Sequence, residues 1–141
     1  MEQSIRTCFE LKERDVRQYS SLSLAFLGDS VYEMIVRTIL IERFQEKPGQ
    51  LNIYKKRWVA APAQASMIQW LRDQDKLTEE EVSVYRRGRN ANIGSMAKNA
   101  SMQEYRKATG FEALIGYLYL QGKTDRILEL VHTGAEAVGL L

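Results

Sequence analysis

Cysteine and histidine are all but missing from this chain of 141 residues, where Cys8 and His132 each stand alone. A single thiol closes no internal disulfide and builds no thiolate zinc cage. A single imidazole leaves histidine-centred metal binding and a Ser-His-Asp triad without their parts. Proline is scarce, at two residues, and no apolar run crosses a bilayer's thickness without a charge breaking it. The opening MEQSIRTCFELKERD carries acids and no apolar stretch, so no secretory leader is expected. A cytoplasmic location without membrane contact is therefore expected. Strong basic charge is also absent: the formal net charge is +2, short of the signature of a dedicated nucleic-acid binder.

What is present is apolar residues at helical spacing. They make up 45% of the chain, enough for the core of one ordinary domain. Strand-like alternation, internal repeats and linkers are absent, so the expected class is all-α, one domain over 1–141. Residues 1–19 read as a lead-in, 20–122 as the core and 123–141 as a closing helix. Ser20 or Ser21 caps a long helix running to about Phe44, stopped by the Pro48-Gly49 pair. A short helix follows from Leu51 to about Val59, and Pro62 opens another through about Gln74. Thr78 and Glu81 form a capping box for a helix through Arg87, and Ser101 with Glu104 forms a second, for a helix ending near Gln121. Between them GRNANIGSMAKNA (88–100) reads as a loop, and a last helix spans about Thr124 to Ala137.

Charge is unevenly placed. Lys55, Lys56 and Arg57 form one basic cluster, and Arg86, Arg87 and Arg89 a denser one, with Asn90, Lys98 and Asn99 beyond it. Guanidinium forks and amides suit phosphate oxygens, although cations at a helix C-terminus also complement its dipole. Glu79, Glu80 and Glu81 form an acidic patch expected to face away from any RNA. Trp58 is expected to anchor its helix to the core, and His132 to carry no chemistry.

Two acids stand out. The stretch 21–40 is apolar around most of its circumference and reads as a central, buried helix with Asp29 inside it. Glu112 is the only acid of FEALIGYLYL (111–120). Neither has a cation one helical turn away, and a desolvated carboxylate needs a partner, a proton or a metal ion. If the two meet, a hard divalent cation such as magnesium is the natural third party. Composition and spacing alone leave this open against a plain structural role for both. Gly28 and Gly116, interior to the same helices, mark either close helix contact or the approach of a ligand.

Three segments, in order, resemble the ribonuclease III family. LAFLGDSV (24–31) is similar to that family's Leu-Glu-Phe-Leu-Gly-Asp-Ala/Ser-Val helix, RGRNA (87–91) to its intervening loop, and FEALIGYLYL (111–120) to its second catalytic helix. The resemblance implies a magnesium-dependent endoribonuclease with Asp29 and Glu112 as catalytic metal ligands. Thr109 would orient Glu112 or a metal-bound water, and Arg86, Arg87, Arg89, Asn90, Lys98 and Asn99 would contact RNA. It further implies a homodimer with Phe26 at the two-fold interface, core packing being the alternative for that ring.

The departures are specific. Leu22, Ala25 and Thr109 stand where the larger family carries further acids, and the family's C-terminal double-stranded-RNA-binding domain has no counterpart. Both features resemble the Mini-ribonuclease III subclass. That likeness implies processing of a duplex stem in large-subunit ribosomal RNA precursor, a ribosomal protein helping to present it, and one well-held metal ion per site. The missing acids also motivate a rival reading, a non-catalytic RNA-binding scaffold. A helical protein-interaction module is the third reading.

Overall fold

Ser20 accepts a hydrogen bond from the backbone N–H of Ser23 and so starts the long helix α2, Ser21–Arg43, in the computed structural model, which describes residues 1–92 and 101–141. Before it come α1, Glu2–Cys8, and a single 3-10 turn, Val16–Gln18. After it come α3, Pro48–Val59; α4, Ala61–Asp73; α5, Glu79–Arg89; α6, Met102–Leu120; and α7, Thr124–Ala137. No strand occurs among the described residues, and the fold is all-α.

Several boundaries differ from expectation for local reasons. Pro48 does not merely stop α2 but is the first residue of α3, a position where its fixed φ and missing N–H cost nothing. The 1–19 lead-in contains α1, tied to the body by the Arg6 guanidinium donating to the Leu120 carbonyl at 2.7 Å. Seven residues are too few to show a helical period. Thr78 and Glu81 form the expected reciprocal capping box of α5. The second expected box, Ser101 with Glu104, does not form. Ser101 already has helical dihedrals, φ −83° and ψ −2°, whereas a capping side chain reaches back only from extended backbone.

Helix α6 is the hub, packed against α2, α5 and α4. Its residues from Ala108 to Leu118 are all buried except Glu112. Around it Tyr32, Val36, Met67, Ile68, Leu71, Tyr85, Phe111 and Leu114 are fully enclosed. Trp58 joins this core as expected, and the Tyr32 hydroxyl donates to its carbonyl at 2.7 Å. His132 lies exposed on α7.

The expectation that α2 is buried all round is corrected. One face, with Leu24, Gly28, Tyr32, Val36 and Leu40, enters the core. The other presents Leu22, Phe26, Met34 and Ile41 outward, Phe26 with 83% of its surface exposed. An apolar residue facing outward is indistinguishable, in sequence, from one facing in.

The three consecutive glutamates do not form one patch. Glu81 is buried and ion-paired to Arg126 at 2.7 Å, and the Tyr117 hydroxyl donates to Glu80. Burial works to raise the Glu81 carboxyl, but hydrogen bonds from Arg126 and Thr78 outweigh it and hold it below the usual range. Arg126→Met leaves that carboxylate uncompensated and should cost about 2 kcal/mol, less than a fully buried pair because Arg126 is partly exposed. The wild-type pair stabilises above the unfolded carboxylate pKa and is lost as pH falls through the lower folded value. Urea midpoints of the two proteins should therefore differ at pH 7 and converge in acid.

Candidate active site

Asp29 follows directly on Gly28, and Gly28 lies where α2 touches the backbone of α6. A Cβ on Gly28 would sit 1.7 Å from the carbonyl oxygen of Glu112, and one on Gly116 2.1 Å from that of Leu24. These glycines mark close helix contact. The contact carries the two acids together, because each belongs to, or adjoins, the residues that meet.

The pair is unequal. Asp29 is exposed, which corrects its expected desolvation, while Glu112 is half-buried. Burial pushes the Glu112 carboxyl up to about 8, with the charge and hydrogen bond of Asp29 adding to it and a hydrogen bond from the Gln64 amide opposing it. Two carboxylates within hydrogen-bonding reach, one of them partly desolvated, hold either a proton or a cation between them. Among the described residues no group of three or more His, Cys, Asp or Glu side chains gathers to hold a metal ion. Two hard oxygen donors that leave most of a coordination sphere to water fit magnesium.

Gln64 is a residue the sequence reading passed over. Buried on α4, it donates Nε2 to the Val59 carbonyl at 2.9 Å, leaves its Oε1 without a partner among the described residues, and lies near enough to Glu112 to pull its pKa down. Its signal was present: positions 64, 67, 68 and 71 form the core stripe of α4, and an amide on such a stripe needs a polar partner. Thr109, expected to orient Glu112, is buried and spends its hydroxyl proton on the Tyr105 carbonyl at 3.0 Å. Gln64 is the neutral polar side chain that acts on the Glu112 carboxyl.

The basic set divides. Arg86, Arg87 and Asn90 line a cleft of about 640 Å³ at the start of α2, with Ser20, Ser21 and Leu22. Glu79 lines the same cleft, so this acid does not face away from the arginines as expected. Arg89 turns elsewhere and lies over the Tyr85 ring. Lys98 and Asn99 lie outside the described residues.

Residues 22–123 match the profile of the Ribonuclease III domain. This chain belongs to the ribonuclease III family. It is thereby an endoribonuclease, a hydrolase of RNA. Among its relatives, a Mini-ribonuclease 3 of Brevibacillus brevis is 52% identical over 118 residues, covering 84% of this chain and 87% of the relative. A Mini-ribonuclease 3 of Enterococcus faecalis is 44% identical over 126 residues, covering 89% and 96%. A crystal structure of a Fusobacterium nucleatum protein superposes with a TM-score of 0.77 at 31% identity, covering 89% of this chain and 98% of the other. Within the ribonuclease III fold, the positions that lack the larger family's acids fall in different surroundings. Leu22 lines the arginine cleft, Ala25 is buried, and Thr109 is closed off inside α6.

Proposed function

We propose that this ribonuclease III enzyme cuts double-stranded RNA with magnesium held by Asp29 and Glu112. The observation that carries this reading is the meeting of those two carboxylates beside Gly28, with Glu112 raised to about 8 by burial and by the neighbouring Asp29. A bound magnesium ion would supply a Lewis acid for the phosphodiester and a lowered water pKa. The chain's own residues then do the rest. Asp29 and Glu112 bind, Gln64 holds Glu112 in its ionised orientation, and Arg86, Arg87 and Asn90 grip backbone phosphate in the cleft beside α2. The products should carry 5′-phosphate and 3′-hydroxyl ends.

The working form is a homodimer paired through the outer face of α2. Leu22, Phe26, Met34 and Ile41 recur at helical spacing on that face and are exposed, and Asp29 lies one turn from Phe26. The site thus adjoins the seam, and two sites would address the two strands of one duplex. From the likeness to Mini-ribonuclease 3 proteins comes the substrate: a stem of large-subunit (23S) ribosomal RNA precursor, presented in the cytoplasm with a large-subunit ribosomal protein. No helix among the described residues is long and apolar enough to cross a membrane.

The test is direct. Purified protein with magnesium should convert a duplex RNA into fragments whose mapped ends are 5′-phosphate and 3′-hydroxyl, and a chelator should stop the reaction until magnesium is restored. The scaffold reading, motivated by Leu22, Ala25 and Thr109, expects duplex binding and no product ends with any divalent ion.

A further inference from the structure

Arg72 on the last turn of α4 and Arg89 at the end of α5 both lie over the ring of Tyr85, their guanidinium carbons 5.1 and 5.5 Å from its centre. Tyr85 is fully buried and each arginine partly so. Stacking of this kind fixes a guanidinium plane and leaves its outer N–H groups free to donate. Neither cation has an ion-pair partner among the described residues. Among the described residues Arg89 makes one hydrogen bond, from Nε to the side chain of Asn90 at 3.3 Å. The stretch IGSMAKNA that follows this helix end contains no Asp or Glu, so the sequence there offers no counter-charge.

A second observation is independent of the charges. The Tyr85 hydroxyl is buried and has no hydrogen-bond partner among the described residues. Burial raises its pKa, with a smaller opposing pull from Arg89 and Arg72, so both cations act on the hydroxyl while neither is aligned to donate to it. Two like charges gathered at one ring whose hydroxyl is unsatisfied make a cluster that the described residues leave incomplete. An anion with several acceptor oxygens completes it.

We propose that Arg72 and Arg89, both lying over the Tyr85 ring, clamp one backbone phosphate of the RNA duplex, with Arg72 a contact additional to the Arg86–Arg87 cleft. This rests on the double-stranded RNA reading above. The placement suits it. Arg72 lies eight residues along α4 from Gln64, about 12 Å of helix rise, and Gln64 touches Glu112. A duplex seated at the metal pair is long enough to span that distance.

The experiment measures duplex-RNA affinity of the full chain, without divalent ions so that nothing is cut, across a salt series. Wild type is compared with Arg72→Gln and Arg72→Lys, with melting temperatures as the check on folding. Each phosphate contact contributes about 0.9 to the slope of log affinity against log salt. Arg72→Gln should bind several-fold more weakly and lose about one unit of slope. Its affinity loss between 50 and 200 mM salt should accordingly be about threefold smaller than wild type's. Arg72→Lys should keep the slope, because the charge remains, which a purely structural stack would not predict.

An Arg72→Gln slope equal to wild type's overturns the clamp while leaving the RNA reading intact. If wild type itself has no duplex affinity, the RNA reading fails and the clamp with it. Inorganic phosphate that raises the melting temperature of wild type but not of Arg72→Gln, with duplex slopes equal, marks a free-phosphate site and overturns the RNA contact.

Discussion

Glu112→Gln and Asp29→Asn should each lower duplex-RNA cleavage by about 10³-fold or more while leaving the helical spectrum unchanged. Losing a ligand from a site with only two protein carboxylates removes several kcal/mol of electrostatic stabilisation, and about 4 kcal/mol is a thousandfold in rate. Full activity in either variant would exclude the pair as the metal site. A stability measurement separates this from a folding defect. In the metal-free chain burial and Asp29 keep the proton on Glu112 up to about pH 8, against an ordinary carboxylate value of 4.5. The folded state therefore binds more protons than the unfolded one across that window. Stability from this group is present below the unfolded value and is lost as pH rises toward the folded one. Gln cannot ionise, so with a chelator Glu112→Gln should melt a few degrees above wild type at pH 8. The gap should close near pH 4. Adding magnesium at pH 8 should raise the wild-type melting temperature and leave the variant's unchanged. A gap of equal size at both pH values would contradict the assignment of that proton to Glu112.

Gly28→Ala is the second large effect, and here stability and activity fall together. In an open helix the change gains about 1 kcal/mol of propensity. At Gly28 the new carbon would stand 1.7 Å from the Glu112 carbonyl oxygen, backbone against which no rotamer change gives relief. The helices must separate, and the expected net loss is about 4 kcal/mol or more, beyond ordinary overpacking. Separation also draws Glu112 away from Asp29, so cleavage should drop even at temperatures where the variant stays folded. Gly49→Ala is the control, since nothing lies within 4 Å of its added carbon. A Gly28→Ala protein with a wild-type urea midpoint would show that the two helices do not meet as described.

The sequence exposed the helices wherever local chemistry sets them. Thr78 with Glu81, Ser20 before α2, and the apolar period of α6 are all satisfied within a few residues of themselves. What it concealed depends on partners distant in the chain. Asp29 read as buried because the stretch 21–40 is apolar around most of its circumference, and nothing local reveals that Phe26 and Met34 face outward. Gln64 was hidden among small residues; only the packing of α4 on α6 shows that its amide meets Glu112. Arg89 read as one of a basic run, yet one position separates an arginine in the cleft from one stacked on Tyr85, as helical rotation demands. The failed box at Ser101 belongs to the same class, because backbone angles rather than residue types decide whether a serine can cap.

The seating of Gly28 on the Glu112 carbonyl and of Gly116 on that of Leu24 has one more consequence. The spacing between the two acids is gauged by peptide groups, which do not vary with sequence, and not by side chains, which do. Leu114, Ile115 and Leu118 can drift to other apolar residues and soften the interior without changing the spacing of the two acids. The tolerance of the chemistry is in this way uncoupled from the tolerance of the core.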